Sequence, residues 1–131
     1  MSQQALVLFA HGARAPGWAA PFERLQVLVQ AQMPDAVVAL AFLELMQPRL
    51  PELVAQLVAQ GCDRITVVPV FLGQGGHVLR DLPVIVDGLR DAHPGVVLNV
   101  VEAVGENAAV LNAIAQYCVG AASPARKSEQ S

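Results

Sequence analysis

Short apolar stretches alternate with amphipathic segments along the chain, and their periods define the expected elements. Ala5 to Ala10 (ALVLFA) is apolar at every position and is followed closely by Gly12, the signature of a strand buried on both faces. From about Trp18 to Met33, Phe22, Leu25, Leu28 and Val29 fall near helical spacing, and the segment stops at Pro34 as a helix should. Ala36 to Leu45 (AVVALAFLEL) predicts a second buried strand with Glu44 near its carboxyl end. Pro48 and Pro51 open a helix whose Leu50, Leu53, Val54, Leu57 and Val58 form an i, i+3, i+4, i+7, i+8 stripe ending at Gly61. Arg64 to Leu72 (RITVVPVFL) predicts a third strand, with Pro69 marking where pairing ends, and runs into Gly73, Gln74, Gly75, Gly76 and His77. Leu79, Leu82, Ile85, Val86 and Leu89 give a helix from about Val78 to Ala92, Val96 to Val101 a fourth strand, and about Asn107 to Val119 a last helix.

Strict strand–helix alternation with short connections implies an α/β fold: three layers, with a four-stranded parallel sheet flanked by helices and right-handed crossovers. In the order 2-1-3-4, the first and third strands are neighbours. The chain reverses its direction of travel across the sheet between them, leaving a crevice at their carboxyl ends. His11 and His77 both follow those ends.

A length of 131 residues suits one core, so residues 1–120 are expected to form a single domain. The tail 121–131 has no large apolar residue and is expected to be disordered. With 54% hydrophobic and 15% charged residues the chain is too apolar for general disorder, yet no stretch reaches membrane-spanning length. Met1 to Gln4 is polar, carries no basic residue and lacks a signal-peptide plan, so a cytoplasmic location is expected. Cys62 and Cys118 lack metal-type spacing and read as separate thiols. A net charge of -3, no stripe of Lys and Arg, and 5% aromatic residues argue against nucleic acid and for a small-molecule partner.

His11 leaves its strand without a pause, and Gly12 and Ala13 leave room for a ligand beside its ring. It can bind metal through a neutral nitrogen or take a proton near neutral pH; a loop histidine bonded to backbone is the plainer alternative. His77, reached through the Gly-rich loop, is placed toward the same crevice. His93, before Pro94, reads as a helix C-terminal cap. Glu44 suits either a His, His, Glu metal site or proton acceptance, and equally a solvated strand-end acid, since period-2 alternation can point it either way. Glu102 and Glu106 share that ambiguity. Arg14 and Arg80 suit substrate carboxylates or an ordinary surface. Gly73, Gly75 and Gly76 can offer backbone N–H groups to an anion, but neither nucleotide-binding glycine pattern is present. A phosphohistidine chemistry is disfavoured because Ala10, not arginine, precedes His11.

LVLFAHGARAP, AFLEL and VVPVFLGQGGHVLRDLP, in that order and spacing, resemble the short form of the CbiX-like sirohydrochlorin chelatases, class II chelatases, over about Ala5 to Val119. The resemblance implies insertion of a divalent metal, cobalt first and nickel or ferrous iron as alternatives, into sirohydrochlorin, a tetrapyrrole with many carboxylates, without ATP or another nucleotide. It places the metal-handling histidines at His11 and His77 and the acid at Glu44. Arg14, Arg80, Gly75 and Gly76 would meet the substrate. Longer relatives carry two such domains, which implies a homodimer for the short form. The usual His-Gly-Ser-Arg reads His-Gly-Ala-Arg here, and a histidine-rich stretch of some members is absent. Loss of the hydroxyl at Ala13 keeps open a second reading, a metal or tetrapyrrole carrier that performs no insertion.

Overall fold

The computed structural model describes residues 3–73 and 75–123, the side chains at 77 and 79 excepted. The chain runs β1 (Gln3–Ala10), α1 (Ala20–Gln32), β2 (Val37–Phe42), α2 (Leu50–Ala59), β3 (Cys62–Pro69), α3 (Gly76–Ala92), β4 (Val97–Val100), a 3-10 turn at Val104–Glu106 and α4 (Ala108–Ala122). All three strand pairings are parallel and the order is β2-β1-β3-β4, as the alternation implies. β1 is therefore flanked on both edges, which explains the unbroken apolar run from Ala5 to Ala10: Val7, Leu8, Phe9 and Ala10 are all buried.

Alternate residues of parallel strands face opposite sides. One side carries Val7, Phe9, Ile65, Val67 and Leu98 into a core with Leu50, Leu53, Val54 and Leu57 of α2 and Leu82, Val86 and Leu89 of α3. Each such aliphatic side chain contributes roughly 1.5–3 kcal/mol by leaving water. Phe9 and Phe71 meet edge to face there, their centroids 5.8 Å apart. The stripe predicted for α2 is the buried one, apart from half-buried Val58.

The other side is covered less completely. α1 lies over β1 and β2, where Gln26 Nε2 donates to the Val38 carbonyl (2.9 Å) and Gln30 Nε2 to that of Ala36 (2.9 Å). Trp18 packs on Phe22 and Phe42. Leu28, which the spacing assigns to the apolar face of α1, is instead 61% exposed. Over β3 and β4 nothing equivalent is found among the described residues: Arg64, Val97 and Asn99, which share that side by register, are exposed. α4 has no buried residue and leaves Leu111, Ile114, Tyr117 and Val119 exposed.

Element ends differ from the pattern where apolarity outlasts pairing. β2 stops at Phe42, not Leu45, because Leu43 to Gln47 bends away from the strand path and Leu45 takes a left-handed φ of 68°. α4 continues to Ala122, past the expected end at Val119; the rest of the expected disordered tail, 124–131, lies outside the described residues. No described helix is long and apolar enough to cross a membrane.

Candidate functional site

His11 is the first residue beyond β1, and Glu44 lies two residues beyond β2. Backbone bonds extend past the strands and tie these ends together: Leu43 N–H donates to the Ala10 carbonyl at 2.9 Å and Glu44 N–H to the His11 carbonyl at 3.0 Å. Between them Gly12 has φ +98°, and a Cβ there would stand 1.8 Å from the Glu44 carbonyl oxygen. Only glycine combines that dihedral with so close a backbone approach. The outcome is a side-chain pair, His11 Nε2 to Glu44 Oε2 at 3.0 Å, with the two side chains 43% and 40% exposed. Glu44 thus faces His11, the direction that strand alternation left open, and it does so from a turn, not from the strand.

Such a pair fixes the ring's chemistry. With Nε2–H donating to the carboxylate, Nδ1 is left with its lone pair, free to take a proton or approach a cation, while the carboxylate orients the ring and balances any charge it acquires. Half-exposure keeps both groups within reach of a ligand.

The residues that follow each member of the pair in the chain line an open cavity of about 590 Å³: Arg14, Glu23 and small residues of the 13–20 segment, with Leu45, Met46 and Gln47. Arg14, three residues after His11, therefore stands at a concave surface. The Leu45–Gln47 wall was not foreseen, because it exists only through the turn that ends β2.

His77 occupies the first turn of α3 and is not a loop residue: the Gly-rich segment supplies Gly75 as the N-cap and Gly76 as the first helical residue. Its side chain lies outside the described set. Arg80 is an exposed residue one turn further on. A Cβ at Gly73, Gly75 or Gly76 would meet nothing within 4 Å, so packing alone does not require glycine there. Among the described residues no three His, Cys, Asp or Glu gather into a group able to hold a metal.

Other candidates resolve into structural roles. His93 is the C-cap of α3, its N–H donating to the Leu89 carbonyl at 3.0 Å, about 25 Å along the helix from its start at 1.5 Å per residue. Glu102 accepts from Asn107 Nδ2 at 2.9 Å, holding the residue whose Oδ1 caps α4 through Ala109 and Val110 N–H. Glu106 ends the 3-10 turn. Cys62 and Cys118 are both free, the first buried and the second exposed; burial, aided by the neighbouring Asp63 charge, pushes the Cys62 thiol up from its ordinary value.

Comparisons with known proteins bear on this arrangement. The family model CbiX matches residues 5–119. A sirohydrochlorin cobaltochelatase of Methanocaldococcus jannaschii is 36% identical over 90 residues, covering 69% of this chain and 63% of that protein. One of Methanopyrus kandleri is 38% identical over 79 residues, covering 60% and 55%. The chain thus spans somewhat under two thirds of these relatives. A crystal structure of a putative cobalamin biosynthesis CbiX protein from Marinobacter aquaeolei superposes with a TM-score of 0.78 at 30% identity, covering 98% of this chain and 99% of that one. The sirohydrochlorin chelatase SirB from Bacillus subtilis subspecies spizizenii, solved in complex with cobalt, shares the fold with a TM-score of 0.74 at 24% identity; the match covers 87% of this chain and 49% of SirB.

Proposed function

The chain belongs to the CbiX family, and on that premise we propose that it is a chelatase inserting a divalent metal, cobalt first, into sirohydrochlorin without a nucleotide. The observation that carries this is the His11–Glu44 pair, held at 3.0 Å just beyond the carboxyl ends of β1 and β2, with an open cavity lined by the residues that follow each of them in the chain. Cobalt is favoured because the similar proteins from Methanocaldococcus and Methanopyrus are named cobaltochelatases. Nickel and ferrous iron remain chemically acceptable to imidazole and carboxylate ligands.

Insertion exchanges two pyrrole protons for one divalent ion, so the site must accept protons and hold metal loosely enough to release it. His11 Nδ1 is suited to either task while Glu44 holds Nε2. His77 is proposed as the second metal-handling histidine. A site of two histidines with one carboxylate leaves coordination positions open for water and then for pyrrole nitrogens. The floor of Ala13, Ala15, Pro16, Gly17, Ala19 and Ala20 lets a flat macrocycle come close, and Arg14 is placed to meet a carboxylate at its rim. Arg80 and the N–H groups of Gly75 and Gly76 extend the same role at the start of α3.

A homodimer belongs to the same reading. It is supported by α4, which has no buried residue and no charged residue between Ala108 and Ala122, and by a fold match that occupies about half of SirB. Leu111→Glu combined with Ile114→Glu should convert a dimeric wild type to monomer in sedimentation; an unchanged mass would remove α4 from the interface. The reading also carries a cytoplasmic location, which fractionation would check.

The deciding experiment mixes the protein with sirohydrochlorin and cobalt, nickel or ferrous ion without ATP and follows tetrapyrrole absorbance against a protein-free control. Repeated turnover above the spontaneous rate is expected. Binding without acceleration would support the carrier, the second reading that Ala13 favours by removing a substrate-facing hydroxyl.

A further inference from the structure

A second depression, about 450 Å³, is lined by Leu43, Glu44, Arg49, Asp81, Val84 and Ile85 and shares no lining residue with the Arg14 cavity. Its position is fixed by backbone: Phe42 N–H donates to the Pro48 carbonyl at 2.9 Å, and Phe42 and Arg49 form an isolated parallel bridge, so Arg49 is tied to the end of β2 just as Glu44 is tied to the end of β1. Leu43, half-buried Ile85 and the exposed Val84 make an apolar wall.

Two carboxylates share this depression with one guanidinium, yet neither forms an ion pair with it. Glu44 is engaged with His11, and Asp81 has an interaction of its own. Among the described residues the exposed Arg49 has no salt-bridge or hydrogen-bond partner for its side chain, although its backbone carbonyl takes the Leu53 N–H at 3.0 Å. A cation left without a partner beside acids already engaged, next to an apolar wall, is matched by a ligand with an apolar stem and an anionic end. Arginine suits a carboxylate by its two parallel donors.

Resting on the chelatase reading, we propose that Arg49 is a specificity residue that binds one carboxyalkyl arm of the macrocycle in this depression, while Arg14 serves another in its own cavity. Two separate carboxylate anchors then set where the ring centre lies relative to the His11–Glu44 pair. Arg49 acts on substrate placement and not on proton or metal transfer.

The test compares wild type, Arg49→Ala, Arg49→Lys and a charge control, Arg64→Ala, at the amino-terminal end of β3 and so away from the site. Metal-free binding is titrated by fluorescence with an octacarboxylate porphyrin and with its octamethyl ester, and insertion kinetics are run alongside. Loss of one charge-assisted bond should weaken octacarboxylate binding by Arg49→Ala about tenfold, leave ester binding unchanged, and raise KM with kcat retained. Arg49→Lys should recover part of the loss and Arg64→Ala should match wild type. Binding by Arg49→Ala within twofold of wild type, an equal loss toward the ester, or no octacarboxylate binding by wild type would overturn the proposal. Arg49-dependent binding without wild-type turnover would overturn the chelatase reading and leave the subsite standing.

Discussion

Replacing Gly12 with alanine separates two costs that the structure superimposes. The first is conformational: an L residue at φ +98° costs roughly 1–2 kcal/mol. The second is steric, since a Cβ 1.8 Å from the Glu44 carbonyl oxygen must push that backbone aside and with it the Glu44 N–H to His11 carbonyl bond, which contributes about 1 kcal/mol. Together they come to about 2–3 kcal/mol, or a fall in Tm of about 7–10 °C for a domain of this size. Gly61→Ala isolates the first cost, because Gly61 has φ +97° with nothing within 4 Å of its Cβ position; its Tm should fall by only about half as much. Calorimetry of both variants gives the difference. Insertion rates measured well below either Tm should fall for Gly12→Ala alone, because only there does Glu44 move from His11. If the two variants melt together, or if Gly12→Ala keeps wild-type turnover, the claim that this glycine holds the pair is wrong.

His11→Ala and His77→Ala should each lose most insertion activity. For His11→Ala the stability change should stay below about 1 kcal/mol, because the pair it breaks is half-exposed, and urea unfolding beside turnover would check this. Gly75→Ala and Gly76→Ala should leave Tm nearly unchanged, since nothing lies within 4 Å, while raising KM for the tetrapyrrole if their N–H groups meet its carboxylates; unchanged KM would remove them from the site. Folding keeps the Cys62 thiol neutral by raising its pKa above the ordinary 9.0, so its contribution to stability is complete below that value and is lost as pH rises toward the folded pKa. Urea stability should therefore decline on the alkaline side of pH 9, less steeply in Cys62→Ala, and a thiol reagent at neutral pH should modify Cys118 alone in the folded protein.

The sheet was legible because buried parallel strands announce themselves as continuous apolar runs, and the run Ala5 to Ala10 marks β1 as an interior strand. The buried stripe of helix α2 was legible in Leu50, Leu53, Val54 and Leu57, with Pro51 in the first turn marking its start. The turn at Leu43 to Gln47 was not. Leu43, Leu45 and Met46 prolong the apolar run, so hydrophobicity gives no sign that pairing has stopped, and Leu45 adopts a left-handed dihedral that its side chain does not favour. That one turn brings Glu44 to His11 and builds a wall of the Arg14 cavity, so the pairing of the two residues was open in the sequence and decided only by tertiary contact. Apolar spacing starts the third helix at about Val78, just after His77, whereas Gly75 caps it and Gly76 begins it, so His77 lies in its first turn. Arg49 was passed over because, as a lone exposed arginine before a helix, it carries no pattern.

Helix α4 and the bare half of the sheet beside Val97 also govern how the protein should be handled. Where two copies cover these surfaces, each separation returns Leu111, Ile114 and Tyr117 to water, and mass action makes the apparent melting temperature climb with protein concentration. Rate and stability should then be compared only at one shared protein concentration.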